Sequence, residues 1–454
     1  MADPAMSVSP YWELTFDADG DVDQGERDRL LREVRQRGVA DLIVFSHGWN
    51  NQRAGATRLY SRFFAPIPRL APRARIGYVG VIWPSMEFPD QPIPDFARTP
   101  ATVARPMTAP ALDADTRHAL LDAFPGNAPV IDQIARMLDQ HPPHDAELEE
   151  FGRLVRTLVE MVPPGPQALF GADTLAEGVP QCEPRMFAVG CTAEVCGQFA
   201  QALDRLAAPQ STGPAREFVL PNPWKGAREL LRQAAYYAMK RRAGTVGERG
   251  LGPVIGRLAA VAPEVRVHLV GHSFGGRLVS FALRGLPEGV RSVKSVTLLQ
   301  GAFSHYAFAA RLPEDARSGG VLQGQQNRVD GPLVCCYSHF DSALGTLYPL
   351  ASRMADDDCS FAAADLVRVL GDKWGALGHD GVRAVPGTLS LTLDEALDSP
   401  LPASGCVNVD ACAVVCHGAA PTGAHSDIVH PELARVVLAA GRIGRPAAAS
   451  ASPV

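Results

Sequence analysis

Val265-Arg266-Val267-His268-Leu269-Val270-Gly271-His272-Ser273-Phe274-Gly275-Gly276 is the stretch that decides the fold. A β-branched, apolar run leads straight into a Gly-His-Ser-Phe-Gly turn, and Leu278, Val279 and Phe281 then recur at helical spacing. Strand, sharp turn and helix follow one another with no spacer. The serine is therefore expected on a strained bend with its hydroxyl projecting. Glycine two residues before and two after it lets the strand and helix backbones approach closely. An ordinary glycine-rich strand-to-helix turn would share this string, so the surrounding elements have to decide between the two.

Outward from this stretch, short apolar runs alternate with longer helical patterns. The runs Asp41–Ser46, Arg75–Trp83, Val265–Val270, Ser292–Leu299, Leu333–Ser338 and Val409–Val415 are nearly continuous, as expected of strands covered on both faces in a largely parallel sheet. Trp12–Phe16 is expected to add an antiparallel edge. Helical patterns cover Gln24–Arg37, Ala54–Phe64, Trp224–Arg242, Gly275–Leu286 and Pro431–Ala440. The class is α/β.

Residues 84–223 interrupt the alternation with proline-rich loops and amphipathic helices, and read as an insertion into a core formed by 1–83 and 224–454. Within the insertion, Val130, Ile131, Ile134, Met137 and Leu138 recur at helical spacing, as do Leu148, Phe151, Leu154, Val155, Leu158 and Val159. Such stripes either cap a pocket, lid-like, or pack on the body of the protein. Residues 343–405 form a second irregular stretch, and the tail from Arg445 is expected to fray.

Composition narrows the functional classes. With 454 residues, 46% apolar and 20% charged, the chain is long enough to bury a large core and is not of disordered, collagen-like or coiled-coil type. The 43 Lys and Arg against 49 Asp and Glu give a net charge of −6, and no basic cluster alternates with aromatics, so nucleic acid is not an expected partner. No run approaches the ~18 to 20 apolar residues that span a bilayer, and Met1–Pro10 has no basic segment followed by an apolar one, so a cytoplasmic protein without stable membrane insertion is expected. The nine cysteines (Cys182, Cys191, Cys196, Cys335, Cys336, Cys359, Cys406, Cys412 and Cys416) are odd in number and contain no CxxC pair. They read mostly as buried free thiols rather than as disulfides or a zinc knuckle.

Ser273 alone is a poor nucleophile and needs a base, a group to orient that base and donors for an oxyanion. The Asp41–Ser46 strand ends in His47-Gly48-Trp49-Asn50, where a turn at the carboxyl end of a strand can direct N–H groups inward. The backbone N–H groups of Trp49 and Phe274 are the candidate donors, with His47, Gly48 and His272 expected to line the substrate site. After the last strand stand His417 and His425. His425 is the preferred base, because it lies in a small-residue stretch directly before the last helix. Asp341, which follows Leu333–Ser338, is the preferred acid. It could instead cap the next helix, and Asp427 is its rival two residues from His425. Asp356-Asp357-Asp358 reads as a solvated loop, and His141-Pro142-Pro143-His144 is a weak metal signal, so no metal is expected.

Taken in order, His47-Gly48-Trp49, Gly271-His272-Ser273-Phe274-Gly275, Asp341 and His425 resemble the α/β-hydrolase superfamily, most closely bacterial serine hydrolases of the esterase and lipase type. The resemblance covers about residues 10–83 and 224–440 and departs at the insertion. It implies a mostly parallel eight-stranded sheet flanked by helices, with Ser273 as nucleophile, Asp341 as acid, His425 as base and the Trp49 and Phe274 N–H groups as an oxyanion hole. The implied activity is ester hydrolysis through an acyl-enzyme, with no cofactor, on a small-molecule ester or lipid-like substrate. An acyltransferase using the same triad and a non-catalytic binding protein on the same fold remain alternatives.

Overall fold

The computed structural model describes residues 6–49, 51–86, 112–160, 166–176, 179–180, 192–207, 222–344, 375–418 and 423–444. Its strands are β1 (Tyr11–Thr15), β2 (Asp41–Ser46), β3 (Ile76–Ile82), β4 (Thr174–Ala176), β5 (Val179–Pro180), β6 (Arg266–His272), β7 (Val293–Leu299), β8 (Ser318–Gly320), β9 (Pro332–Tyr337), β10 (Leu389–Thr392) and β11 (Gly405–Asp410). Eight of them form one sheet in the order β1-β3-β2-β6-β7-β9-β11-β10, and β5-β4-β8 form a small antiparallel one.

Every pairing in the large sheet is parallel. The chain has no hairpin here. Among the described residues, most returns to the sheet pass through helices, as parallel neighbours need a long crossover, while β7 reaches β9 through a connection that includes β8. This corrects the expected antiparallel edge: β1 runs parallel to β3, with Tyr11 opposite Tyr78 and Thr15 opposite Ile82. The alternation of Trp12 and Leu14 with Tyr11, Glu13 and Thr15 reflects a half-buried edge, not its direction. The last expected strand is also displaced, to Gly405–Asp410 rather than Val409–Val415. Sheet pairing stops where Asp410 meets Tyr337, the Asp410 carboxylate accepts the Cys412 N–H at 2.9 Å, and Ala411 and Val415 are buried in a helical turn. β10, with no buried residue along it, lies within the stretch 343–405 read as irregular, where Leu389 and Leu391 alternate with polar residues over too short a run to stand out.

Helices α1 (Gln24–Gln36), α2 (Arg53–Phe64), α3 (Ile67–Leu70), α4 (Ala114–Ala123), α5 (Ala128–Gln140), α6 (Asp145–Glu160), α7 (Thr192–Ala207), α8 (Pro223–Thr245), α9 (Gly252–Val261) and α10 (Phe274–Arg284) are joined by shorter helices and by Pro431–Gly441. Two apolar cores cover the sheet's two faces. One gathers Phe45, Tyr60, Phe63, Phe64, Val407 and Val437, and the other holds Trp12, Val44, Leu269, Leu278 and the helices of residues 112–207. Among the described residues no helix is long and apolar enough to cross a membrane.

The stripes of α5 and α6 are buried in that second core. Ile131, Ile134, Met137, Leu138, Leu148, Phe151, Leu154, Val155 and Leu158 are all buried and Val130 partly so; the Val159 side chain lies outside the described residues, as do Asp356-Asp357-Asp358. Phe151 meets Trp224 of α8 edge-on at 5.6 Å, and His141 stacks on the same indole at 5.9 Å while Pro142 O accepts its N–H. A buried ionic cluster adds to the joint. Asp173 bonds Arg277 of α10, Lys240 of α8 at 2.8 Å and the Ser304 N–H at 3.2 Å, and Arg277 also donates to Phe170 O and Ala172 O.

Since Phe151 fills core rather than facing a cleft, Phe151→Ala is expected to lower stability by about 3–5 kcal/mol. Thermal or denaturant unfolding measures this. A loss below about 1 kcal/mol would mean that α6 is not part of the core.

Candidate active site

The site lies beyond the carboxyl ends of β2, β6, β9 and β11, where open parallel sheets form crevices. At the end of β6 the chain turns at Ser273 with φ 54° and ψ −121°, a region that side-chain-bearing residues rarely enter. The neighbouring glycines explain how the turn fits. A Cβ on Gly275 would stand 2.0 Å from Ser46 O, and one on Gly271 would stand 2.4 Å from Gly275 O. The Ser273 N–H donates to Leu299 O at 3.1 Å, and Ser273 O accepts from Gly276 and Ala302.

The serine hydroxyl lies 2.9 Å from His425 Nε2, and His425 Nδ1 lies 2.7 Å from Asp341 Oδ2. A carboxylate at Nδ1 favours the tautomer with its proton there, leaving the Nε2 lone pair for the Ser273 O–H. Asp341 is fully buried and holds its second oxygen toward the Leu344 N–H at 2.9 Å. The capping and histidine-binding roles weighed for this residue thus coexist, one on each oxygen. Gln300, itself at φ 47°, donates to Asp341 Oδ2 at 3.4 Å and to Gly378 O at 3.1 Å.

The His47–Trp49 turn lies against the serine. A Cβ on Gly48 would approach the Ser273 Cβ to 2.7 Å, so only glycine brings this backbone so near. Asn51 Nδ2 donates to Gly48 O and Trp49 O, and Ser85 Oγ bonds Asn51 O at 2.8 Å. Phe274 is the first residue of α10, and N–H groups in the first turn of a helix lack intrahelical acceptors. The Trp49 and Phe274 rings lie 6.3 Å apart, and Tyr236 of α8 packs on both, at 5.9 and 4.7 Å.

His47 is fully buried behind the turn. Its N–H donates to the Tyr60 hydroxyl at 2.9 Å, its Nδ1 donates to Gly48 O at 2.8 Å, and its ring stacks on Trp83 at 5.5 Å. These contacts make it a support for the turn. Burial pushes its pKa down to about 4. His272 is likewise buried and pushed down to about 3, chiefly by burial, and its Nε2 donates to His425 O at 2.9 Å. Both rings are therefore neutral at pH 7.

The rivals considered for base and acid stand apart from this chain of bonds. His417 Nδ1 lies 3.5 Å from Asp427 Oδ2, and His430 Nε2 lies 2.8 Å from Asp427 Oδ1. Sequence reasoning missed Tyr236, Gln300 and Tyr60. Gln300 alone carried a signal, as a polar residue ending an apolar strand run ahead of a glycine. Compared with protein-family models, curated proteins and solved structures, the chain gives no match.

The buried neutral His47 has a consequence for stability. In the unfolded chain it takes up a proton near its ordinary value of 6.5, whereas the folded protein resists this down to about 4. Stability is therefore lost as pH falls from 6.5 toward 4, by up to roughly 3 kcal/mol from this residue, and no further below that window. His47→Gln should flatten the fall in melting temperature over this range. Parallel curves for the two proteins would refute the assignment.

Proposed function

We propose that this chain is a serine hydrolase of the α/β-hydrolase type, cleaving carboxylic esters through an acyl-enzyme. The observation that carries the proposal is the unbroken path from Ser273 Oγ through His425 to Asp341, at 2.9 and 2.7 Å, starting from a serine on a strained strand-to-helix turn. On this reading residues 1–83 and 224–454 are the catalytic core and 84–223 an insertion.

Ser273 Oγ attacks the ester carbonyl as His425 Nε2 takes its proton, and the buried Asp341 carboxylate stabilises the resulting imidazolium. The Trp49 and Phe274 N–H groups receive the negative charge on the carbonyl oxygen. His425 returns the proton to the leaving alcohol, then draws one from water as the water oxygen attacks the acyl carbon, and passes that proton to Ser273 Oγ as the carboxylic acid leaves. No step calls for a cofactor. With His47 and His272 held neutral by burial and bonded to protein carbonyls, the single imidazole reaching the serine is His425. The partly exposed Trp49 and Tyr236 rings, packed on each other, favour an apolar acyl or aryl group over a charged peptide.

A fluorophosphonate probe is expected to label the protein at Ser273, and Ser273→Ala to abolish labelling without changing thermal stability. Labelling that persists in the variant would move the nucleophile elsewhere. On p-nitrophenyl esters, Asp341→Asn should lower turnover by up to ~10⁴-fold through the wrong histidine tautomer. His425→Ala should match the serine variant, and His417→Ala should stay near wild type. A costly Asp427→Asn with an indifferent Asp341→Asn would overturn the acid assignment.

A further inference from the structure

The pair His417 and Asp427, unused by the proposed chemistry, belongs to a larger cluster on the loop that carries His425. Cys416 Sγ lies 3.3 Å from His417 Nδ1, and His417 Nδ1 lies 3.5 Å from Asp427 Oδ2. All three ligand atoms fall within 4.8 Å of one another. A tetrahedral zinc ion, with sulfur at about 2.3 Å and nitrogen or oxygen at about 2.0–2.2 Å, separates such ligands by roughly 3.3–3.6 Å. Both separations fall within about 0.3 Å of such edges.

Protein groups already orient the carboxylate. The Cys416 and His417 N–H groups donate to Asp427 Oδ2 at 3.1 and 2.8 Å, and His430 bonds the other oxygen at 2.8 Å. Carboxylates that ligate metals are commonly held by such outer hydrogen bonds. Among the described residues, the ion pairs of Asp427 are with histidines alone, so no lysine or arginine competes for it. His417 is exposed, which leaves a path for entry and room for water as a fourth ligand. The second histidine–aspartate cluster, His339, His379 and Asp380, is a poorer candidate. It has no thiol, and the Arg383 guanidinium stands 4.0 Å from the carboxylate.

We propose that Cys416, His417 and Asp427 form a binding site for a borderline-soft divalent cation of the zinc class. On binding, the Cys416 thiol gives up its proton to solvent and the thiolate, the neutral His417 Nδ1 and Asp427 Oδ2 coordinate the ion. The sulfur ligand selects zinc-like ions over magnesium or calcium. Bound there, the ion clamps the two ends of the 416–427 segment together. His425 is already fixed by the bond from its carbonyl to His272, so the ion is not required to hold it against Ser273. The site is independent of the hydrolase proposal.

The test is cobalt(II) titration of the full chain, read by the near-ultraviolet sulfur-to-cobalt band, with zinc content after equilibrium dialysis as a second readout. The wild type is expected to develop the band and retain about one zinc per chain. Cys416→Ser and His417→Ala should lose both, while Cys412→Ser and Ser273→Ala keep them. Absence of the band in the wild type, or its persistence in Cys416→Ser or His417→Ala, would overturn the site. Since Ser273→Ala is assayed alongside, failure of the hydrolase proposal would leave this result readable.

Discussion

Ser273 sits in a backbone conformation that costs energy, and the molecule around it is arranged so that no relaxed alternative exists. Its N–H is fixed to β7 and its carbonyl receives two further donors, while Gly275 presses on the end of β2 and Gly271 on Gly275 itself. β2 and β6 are neighbours in the sheet, with Ser46 opposite Gly271, so the contact that strains the turn is also the contact that packs the sheet's centre. Relaxing the serine would require separating two paired strands from the helix between them.

The loops that meet the serine are held by bonds to different parts of the chain. The turn after β2 is anchored through His47 to Tyr60 and Trp83; the segment after β9 carries Asp341, fixed by Gln300 and Leu344; the loop after β11 carries His425, tied by its carbonyl to His272. His272 thus connects the turn to the loop that supplies its proposed base. A distance of 2.9 Å between Ser273 and His425 is the sum of these separate placements, and an error in any of them would open it. Behind them, Arg277 and Lys240 converge on Asp173 and join the helix after the serine to α8 and the 166–173 segment. Arg277 is wholly buried, so its charge is satisfied only while these elements stay together.

Much of this was legible in the sequence because it rests on local patterns. The buried strands β2, β3, β6 and β7 read as continuous apolar runs, and the Gly-His-Ser-Phe-Gly string fell on a strand-to-helix junction as its glycines demanded. What failed was long-range. The direction of β1 depends on how the chain crosses the sheet, not on its own alternation, and the end of β11 is set by the last residue of β9. Asp341 is preferred over Asp427 for its place after β9, and His425 over His417 for its small-residue stretch before the last helix; the structure pairs Asp341 with His425, and Asp427 with His417 and His430. Gln300 and Tyr236 reach the site from elements whose sequence carries no spacing rule for them. The Cys416, His417 and Asp427 cluster is likewise visible only once the loop folds back on itself.

The central claim is that Ser273 becomes covalently acylated. Rapid-quench hydrolysis of p-nitrophenyl acetate, followed by peptide mapping of the quenched protein, tests it most directly. The account predicts a burst of p-nitrophenol approaching one equivalent of protein when deacylation is the slower step, and an acetyl group on the peptide containing Ser273. Turnover with the acetyl group on another residue, or turnover that survives in Ser273→Ala, would contradict it.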